Sequence, residues 1–338
     1  MTSTTARTNN ASGSNLTEIL LWRLSVKSKG DHVLTWPDAH RIAHMAAAQA
    51  HGCLSVDLTG VNVDVFEAIR ASQTFLMFRP MPRLFGAYLA EDGSAPGIII
   101  NSGLPRGARR HTAAHELGHA QMKHTTSVDD GGTIDTVFGD ETEAIPSASH
   151  RRSWTDQEKV AEAFASWFLM PRRVVRNALR VLGLTKPTSA ADVYQLSLLM
   201  GTSYRTTLRH LSIIKLATTA SVNKWAAMAP STLKAQLDTS APTPRSRRPD
   251  VYQIIEGYGS LNLSVEPGDR LIVPAHLYRR DALPLFVEEV GNSDVDAVLE
   301  VRGLDNGRLT GSIDNGAGFS LVLTVSGPPQ GLDPRSFR

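Results

Sequence analysis

The run His115-Glu116-Leu117-Gly118-His119 is where residue type and spacing in this chain first add up to chemistry. On a helix, two histidines four residues apart stand about 40° apart around the axis, so both imidazoles can reach one metal ion. Glu116 lies on the same side and can take a proton from a water that the metal activates. Neutral imidazole suits zinc, and a third protein ligand leaves the fourth position to water. The same pattern also fits a surface helix with two solvated histidines. Its neighbours Ala113, Ala114, Leu117, Gly118 and Ala120 are small or apolar, however, which places the histidines in a buried segment. Buried paired imidazoles without a partner are costly.

The third ligand must come from elsewhere. His124 stands five residues after His119, about 140° further round, so it faces away from the metal and serves as a hydrogen-bonding group at the helix end. On a second helix, Glu158 precedes Ala161 and Ala165 at helical spacing and extends an apolar stripe that runs on to Phe168 and Leu169. A carboxylate on such a face needs a cation or several donors. Glu162 shares that face one turn on, and geometry alone leaves the two glutamates level. A donor for a developing oxyanion is also expected, with Tyr88, Tyr194, Tyr204 and His150 as candidates.

These residues need an α+β frame. Helices are predicted over 15–23, 37–50 and 63–70, a small antiparallel sheet over 74–78, 84–89 and 97–101, and two long helices over 109–123 and 155–170 that carry the candidate ligands. An acidic insert, 125–153, separates the two long helices. Further helices are predicted over 191–200, 204–216 and 230–237. A Pro/Ser/Arg linker at 238–249 leads into strands over 261–265, 270–273, 283–290, 297–301 and 319–325. The division that follows is a disordered leader (1–14), an N-terminal helical segment (15–55), a helical domain with a small antiparallel sheet that carries the candidate metal site (56–237, with a helical subregion 191–237), the linker, a separate β-rich sandwich or barrel (250–327) and a tail (328–338).

Composition sets the outer limits. With 41% hydrophobic and 20% charged residues, the 338-residue chain is an ordinary globular one and is not disordered throughout. Lys+Arg 35 against Asp+Glu 33 leaves +2, so no global basic field points to nucleic acid. The single Cys53 excludes an internal disulfide framework, and no apolar run is long enough to span a bilayer. A cytoplasmic protein is expected. The helices around Gly201-Thr202-Ser203 could be taken for a DNA-reading helix-turn-helix, but Leu208, Leu211 and Ile214 fit a packing helix.

The metal blocks also carry a resemblance. His111-Thr112-Ala113-Ala114-His115-Glu116-Leu117-Gly118-His119, followed by Glu158-Lys159-Val160-Ala161-Glu162-Ala163-Phe164-Ala165-Ser166-Trp167-Phe168-Leu169-Met170-Pro171, resembles the ImmA/IrrE family of zinc metallo-endopeptidases. The second block is similar to that family's E-x-x-A-x-x-F-A-x-x-x-L-M-P signature. The resemblance implies a zincin-like fold, one zinc per chain, ligands at His115, His119 and Glu158, and Glu116 as general base. Glu162 and His124 are then left to support the ligands. It also implies a protein substrate, a helix-turn-helix repressor whose cleavage switches on stress or mobile-element genes. The insert between His119 and Glu158 is long for the family, and Glu162 stands where a small residue or Asn/Asp is usual. The alternative function is a regulatory binding protein that uses the zincin fold without proteolysis. Oligomeric state is not legible, and the β-rich region suggests sensing or substrate docking.

Overall fold

The computed structural model describes residues 34–82, 84–90, 95–130, 154–238, 249–293, 295–303, 308–333 and 335. The leader, the helix predicted over 15–23, residues 131–153 of the acidic insert, His150 and most of the linker lie outside the described residues. Helix α1, Trp36–Cys53, starts at a Thr35 side chain that accepts from the Asp38 amide, with Pro at the first turn. Its Ala39, Ala43, Ala46, Ala47 and Ala50 form a small-residue stripe buried in the core. Asp64 caps the short α2, Val65–Ala71.

Three strands follow: β1 (Phe75–Arg79), β2 (Leu84–Leu89) and β3 (Gly97–Asn101). They do not form the antiparallel sheet expected. β1 pairs in parallel with β3, β3 and β2 pair antiparallel, and the sheet is mixed. The turns at 80–82 and 91–96 suggested a meander, but the chain crosses from β2 to β3 so that β3 lies between β1 and β2.

Helix α3, Arg106–Gln121, packs on β2 and β3 and is buried from Ala108 through His119 at every position but Arg110. β4, Ser127–Asp130, then adds to the outer edge of β2. Helix α4, Asp156–Leu169, begins at a Thr155 cap and packs against both α1 and α3. Gly118 makes the α3–α4 approach possible, since a Cβ there would meet Phe164 Cδ1 at 2.9 Å. Five helices complete the region: α5 (Arg172–Val181), α6 (Ala190–Met200), α7 (Tyr204–Ile213), α8 (Thr219–Ala226) and α9 (Pro230–Leu237). The sequence reading missed α5 and α8. In α7, six of ten residues are buried, as a packing helix requires.

The β-rich region has more strands than expected. β5 (Val251–Gln253), β6 (Asn262–Val265), β7 (Arg270–Pro274), β8 (Val287–Asn292), β9 (Asp296–Val301), β10 (Arg308–Asp314) and β11 (Ser320–Ser326) form a four-stranded sheet, β5-β7-β9-β8, and a three-stranded one, β10-β11-β6. Their inward residues, among them Leu271, Leu299, Leu321 and Leu323, are fully buried. The region docks on the helices through specific bonds. Gln195 of α6 donates to the Val251 carbonyl (2.9 Å) and accepts from the Gln253 amide (3.0 Å), which satisfies the edge of β5 as a neighbouring strand would. The last strand, β12 (Gly331–Leu332), leaves the β-rich region and pairs antiparallel with β1, making the first sheet five-stranded.

Candidate metal centre

Helices α3 and α4 bring together the three residues proposed as ligands. His115 Nε2 lies 3.1 Å from His119 Nε2 and 3.1 Å from Glu158 Oε2, and His119 Nε2 is 3.5 Å from Glu158 Oε1. A tetrahedral ion with bonds of about 2.0–2.1 Å holds its ligand atoms roughly 3.3 Å apart, so the triangle has the right edge for one such ion. Among the described residues this is the only His/Cys/Asp/Glu group gathered tightly enough to hold a metal. Glu158 reaches it from the first turn of α4, fixed by the Thr155 cap on its own amide at 3.3 Å. Ser127 of β4 donates to Glu158 Oε1 at 2.7 Å, which ties the edge strand to the cluster.

The electrostatics suit a cation. Burial alone pushes the Glu158 carboxyl up, but the imidazoles of His115 and His119 outweigh it together and hold the group well below the usual carboxylate range. Burial lowers His119, with Glu158 offsetting part of the effect, so the imidazole stays neutral and keeps a lone pair for a metal.

Glu162, the rival ligand, is buried one turn further on, where its Oε2 accepts from His111 Nε2 at 2.8 Å and stands 3.7 Å from His115 Nδ1. It faces the back of the His115 ring while Glu158 faces the front. Burial raises the Glu162 carboxyl, yet His111 and then His115 pull it well below its ordinary value. His124 does not face away, as helical extrapolation required. The helix ends at Gln121, Lys123 takes a left-handed turn (φ 52°), and the chain folds His124 back so that its Nδ1 lies 3.0 Å from His119 Nδ1. Its amide also donates to the His119 carbonyl at 3.0 Å, the helix-end bond expected of it. Burial, reinforced by His119, lowers His124 to about 3, which leaves it neutral and able to accept from a ligand ring.

Glu116 is fully buried, on α3 beneath β2. The carboxylate occupies space left by Gly86, where an added Cβ would meet Glu116 Oε1 at 2.9 Å and Thr112 Cγ2 at 2.6 Å. Of the oxyanion candidates, Tyr88 of β2 is buried with its ring nearly parallel to that of His119, centroids 6.3 Å apart. Tyr194 and Tyr204 are engaged elsewhere: Tyr194 donates to Asp250 at 3.1 Å, and Tyr204 to the Trp225 carbonyl at 2.9 Å.

Residues 74–200 match the family model of the IrrE N-terminal-like domain, Peptidase_M78. Both metal-bearing helices fall inside the match, as do Gly86, Tyr88 and Ser127. A comparison with curated proteins finds no match.

Sequence reasoning passed over His111, Gly86 and Ser127. His111 had a legible signal, since His111, His115 and His119 recur every four residues along one helix face. Gly86 and Ser127 had none, because each matters through a segment distant in sequence. Among the described residues no helix is long and apolar enough to cross a membrane.

Proposed function

We propose that this protein is a cytoplasmic, site-specific zinc endopeptidase that cleaves a helix-turn-helix transcriptional repressor. The observation that carries the chemistry is the convergence of two imidazole Nε2 atoms and the Glu158 carboxylate, with Glu116 on the same helix, inside a metallopeptidase-family domain. His115, His119 and Glu158 would hold one zinc ion, which when bound polarises the scissile carbonyl and acidifies water. Glu116 accepts the proton of the attacking water on a carboxylate oxygen and passes it to the leaving amine nitrogen. His124 and Glu162 fix the ring planes of His119 and His115 from behind. Among the described residues β4 is the last strand of its sheet on the side of the site, which supports a reading in which its outer backbone edge pairs with an extended substrate segment. The repressor as substrate rests on the resemblance to the ImmA/IrrE family. The β-rich region, with no comparable cluster among its described residues, is assigned to sensing or docking.

The test is co-expression with a candidate helix-turn-helix repressor, comparing wild type with Glu116→Gln at matched metal content. Wild type should cleave and Glu116→Gln should not, because the amide cannot take the proton. Equal cleavage by both overturns the mechanism. Full regulation in cells by an uncleaving Glu116→Gln protein would establish the alternative, regulation through binding alone.

A further inference from the structure

Three imidazoles and two carboxylates interleave between α3 and α4. His111, His115 and His119 recur every four residues along α3, and Glu158 and Glu162 stand four apart on α4. Reading across the two helices, His119 Nε2 meets Glu158 Oε1 at 3.5 Å, and Glu158 Oε2 meets His115 Nε2 at 3.1 Å. The other side of the same His115 ring continues the series: its Nδ1 lies 3.7 Å from Glu162 Oε2, which in turn accepts from His111 Nε2 at 2.8 Å. The first three members form the candidate metal centre. His111 stands beyond it, 1% exposed and outside the ligand group.

The two distances at Glu162 are unequal in a useful way. The 2.8 Å to His111 is an ordinary hydrogen-bond length, while the 3.7 Å to His115 Nδ1 is beyond one. Glu162 is therefore fastened by His111 and aimed at His115. A buried carboxylate without such a donor is costly and takes up whatever other polar contact it can reach. Held where it is, the carboxylate favours the proton on His115 Nδ1 and so leaves the Nε2 lone pair on the side of Glu158 and His119. His119 is backed by a different group, His124, with 3.0 Å between their Nδ1 atoms. The two ligand rings thus rely on separate supports, and His111 bears on only one of them.

We propose that His111 is a positioning residue for the metal centre: it anchors the Glu162 carboxylate behind His115 and thereby sets the orientation and tautomer of that ligand. It touches no ligand atom itself and acts through Glu162 alone. The inference rests on the reading of His115 as a metal ligand; it does not depend on proteolysis or on a repressor as substrate.

The test is a double-mutant cycle on the full chain, with zinc affinity measured by chelator competition and the visible absorption of the Co2+-loaded protein recorded at saturation. The proteins are wild type, His111→Phe, His111→Gln, Glu162→Ala and His111→Phe/Glu162→Ala. Wild type should bind one zinc per chain, and His111→Phe should bind it about tenfold more weakly, with a shifted cobalt band. His111→Gln, whose amide still donates, should keep most of the affinity and the wild-type band. The double variant should match Glu162→Ala within about twofold, because His111 then has nothing left to hold. A stranded carboxylate could unfold His111→Phe, but the double variant removes both partners, so its comparison with Glu162→Ala stands in either case. Unchanged affinity and spectrum in His111→Phe overturn the proposal. So does a further loss in the double variant, which would make His111 a packing residue that acts without Glu162. A wild-type chain that binds no zinc overturns the metal reading as well, and that failure shows before any variant is compared.

Discussion

Replacing Glu158 or Glu162 by alanine should cause opposite failures. Glu158 faces the shared point between His115 and His119, and its side chain keeps 27% of its surface exposed. Losing it takes away a ligand while leaving little buried polar surface stranded. Glu162 is 11% exposed and bonds His111 at 2.8 Å, behind the His115 ring. Losing it takes a buried imidazole's acceptor, at a cost of about 1–3 kcal/mol to the metal-free fold. Removing a group that supports a ligand typically weakens metal binding by about 10–100-fold, so Glu162→Ala should fall in that range. Glu158→Ala should exceed about 100-fold, equivalent to more than about 2.7 kcal/mol. Chelator competition measures the affinities, and urea midpoints of the metal-free proteins measure the folds. A larger loss of metal affinity from Glu162→Ala than from Glu158→Ala would reassign the ligand and refute this reading of the two faces.

Gly86→Ala should reduce cleavage by about tenfold or more at unchanged metal stoichiometry, because the new methyl group displaces Glu116 and Thr112, and misplacing a catalytic group by about 1 Å costs up to about 100-fold. Wild-type kcat in that variant would show that Glu116 has room to move. His210, buried and donating to the Met170 carbonyl at 2.8 Å, is lowered by burial to about 3 from 6.5. The unfolded chain therefore takes this proton first, so the His210 contribution is complete above about pH 6.5 and is lost as pH falls toward 3, by up to about 1.4 kcal/mol per unit. Urea midpoints at about pH 7 and about pH 5 should separate more in wild type than in His210→Gln; an equal separation would assign the acid sensitivity to other groups.

What could be read along the chain was what depends on neighbours within a few residues. The four-residue spacing of His115 and His119 needs only helical geometry, and α4 carried its own cap and apolar stripe. The strands at 84–89 and 97–101 were legible from their composition, with the bounds observed. The choice between Glu158 and Glu162 was not, since both lie on one face of α4. Which of them meets the front of His115 depends on how α4 slides and rotates against α3, set by contacts such as Gly118 on Phe164. The parallel pairing of β1 with β3 escaped for a related reason, because alternation within a strand is blind to its partner's direction. His124 was misplaced because a helical wheel assumes that the helix continues, and the left-handed turn at Lys123 ends that assumption. The return of β12 to β1 joins residues more than 250 positions apart, as does the pairing of Arg70 with Asp333. No local signal encodes such contacts: they form only where two distant parts of the chain present matching hydrogen bonds and charges. Local sequence thus determined which groups could do chemistry, and tertiary packing decided which of them face one another.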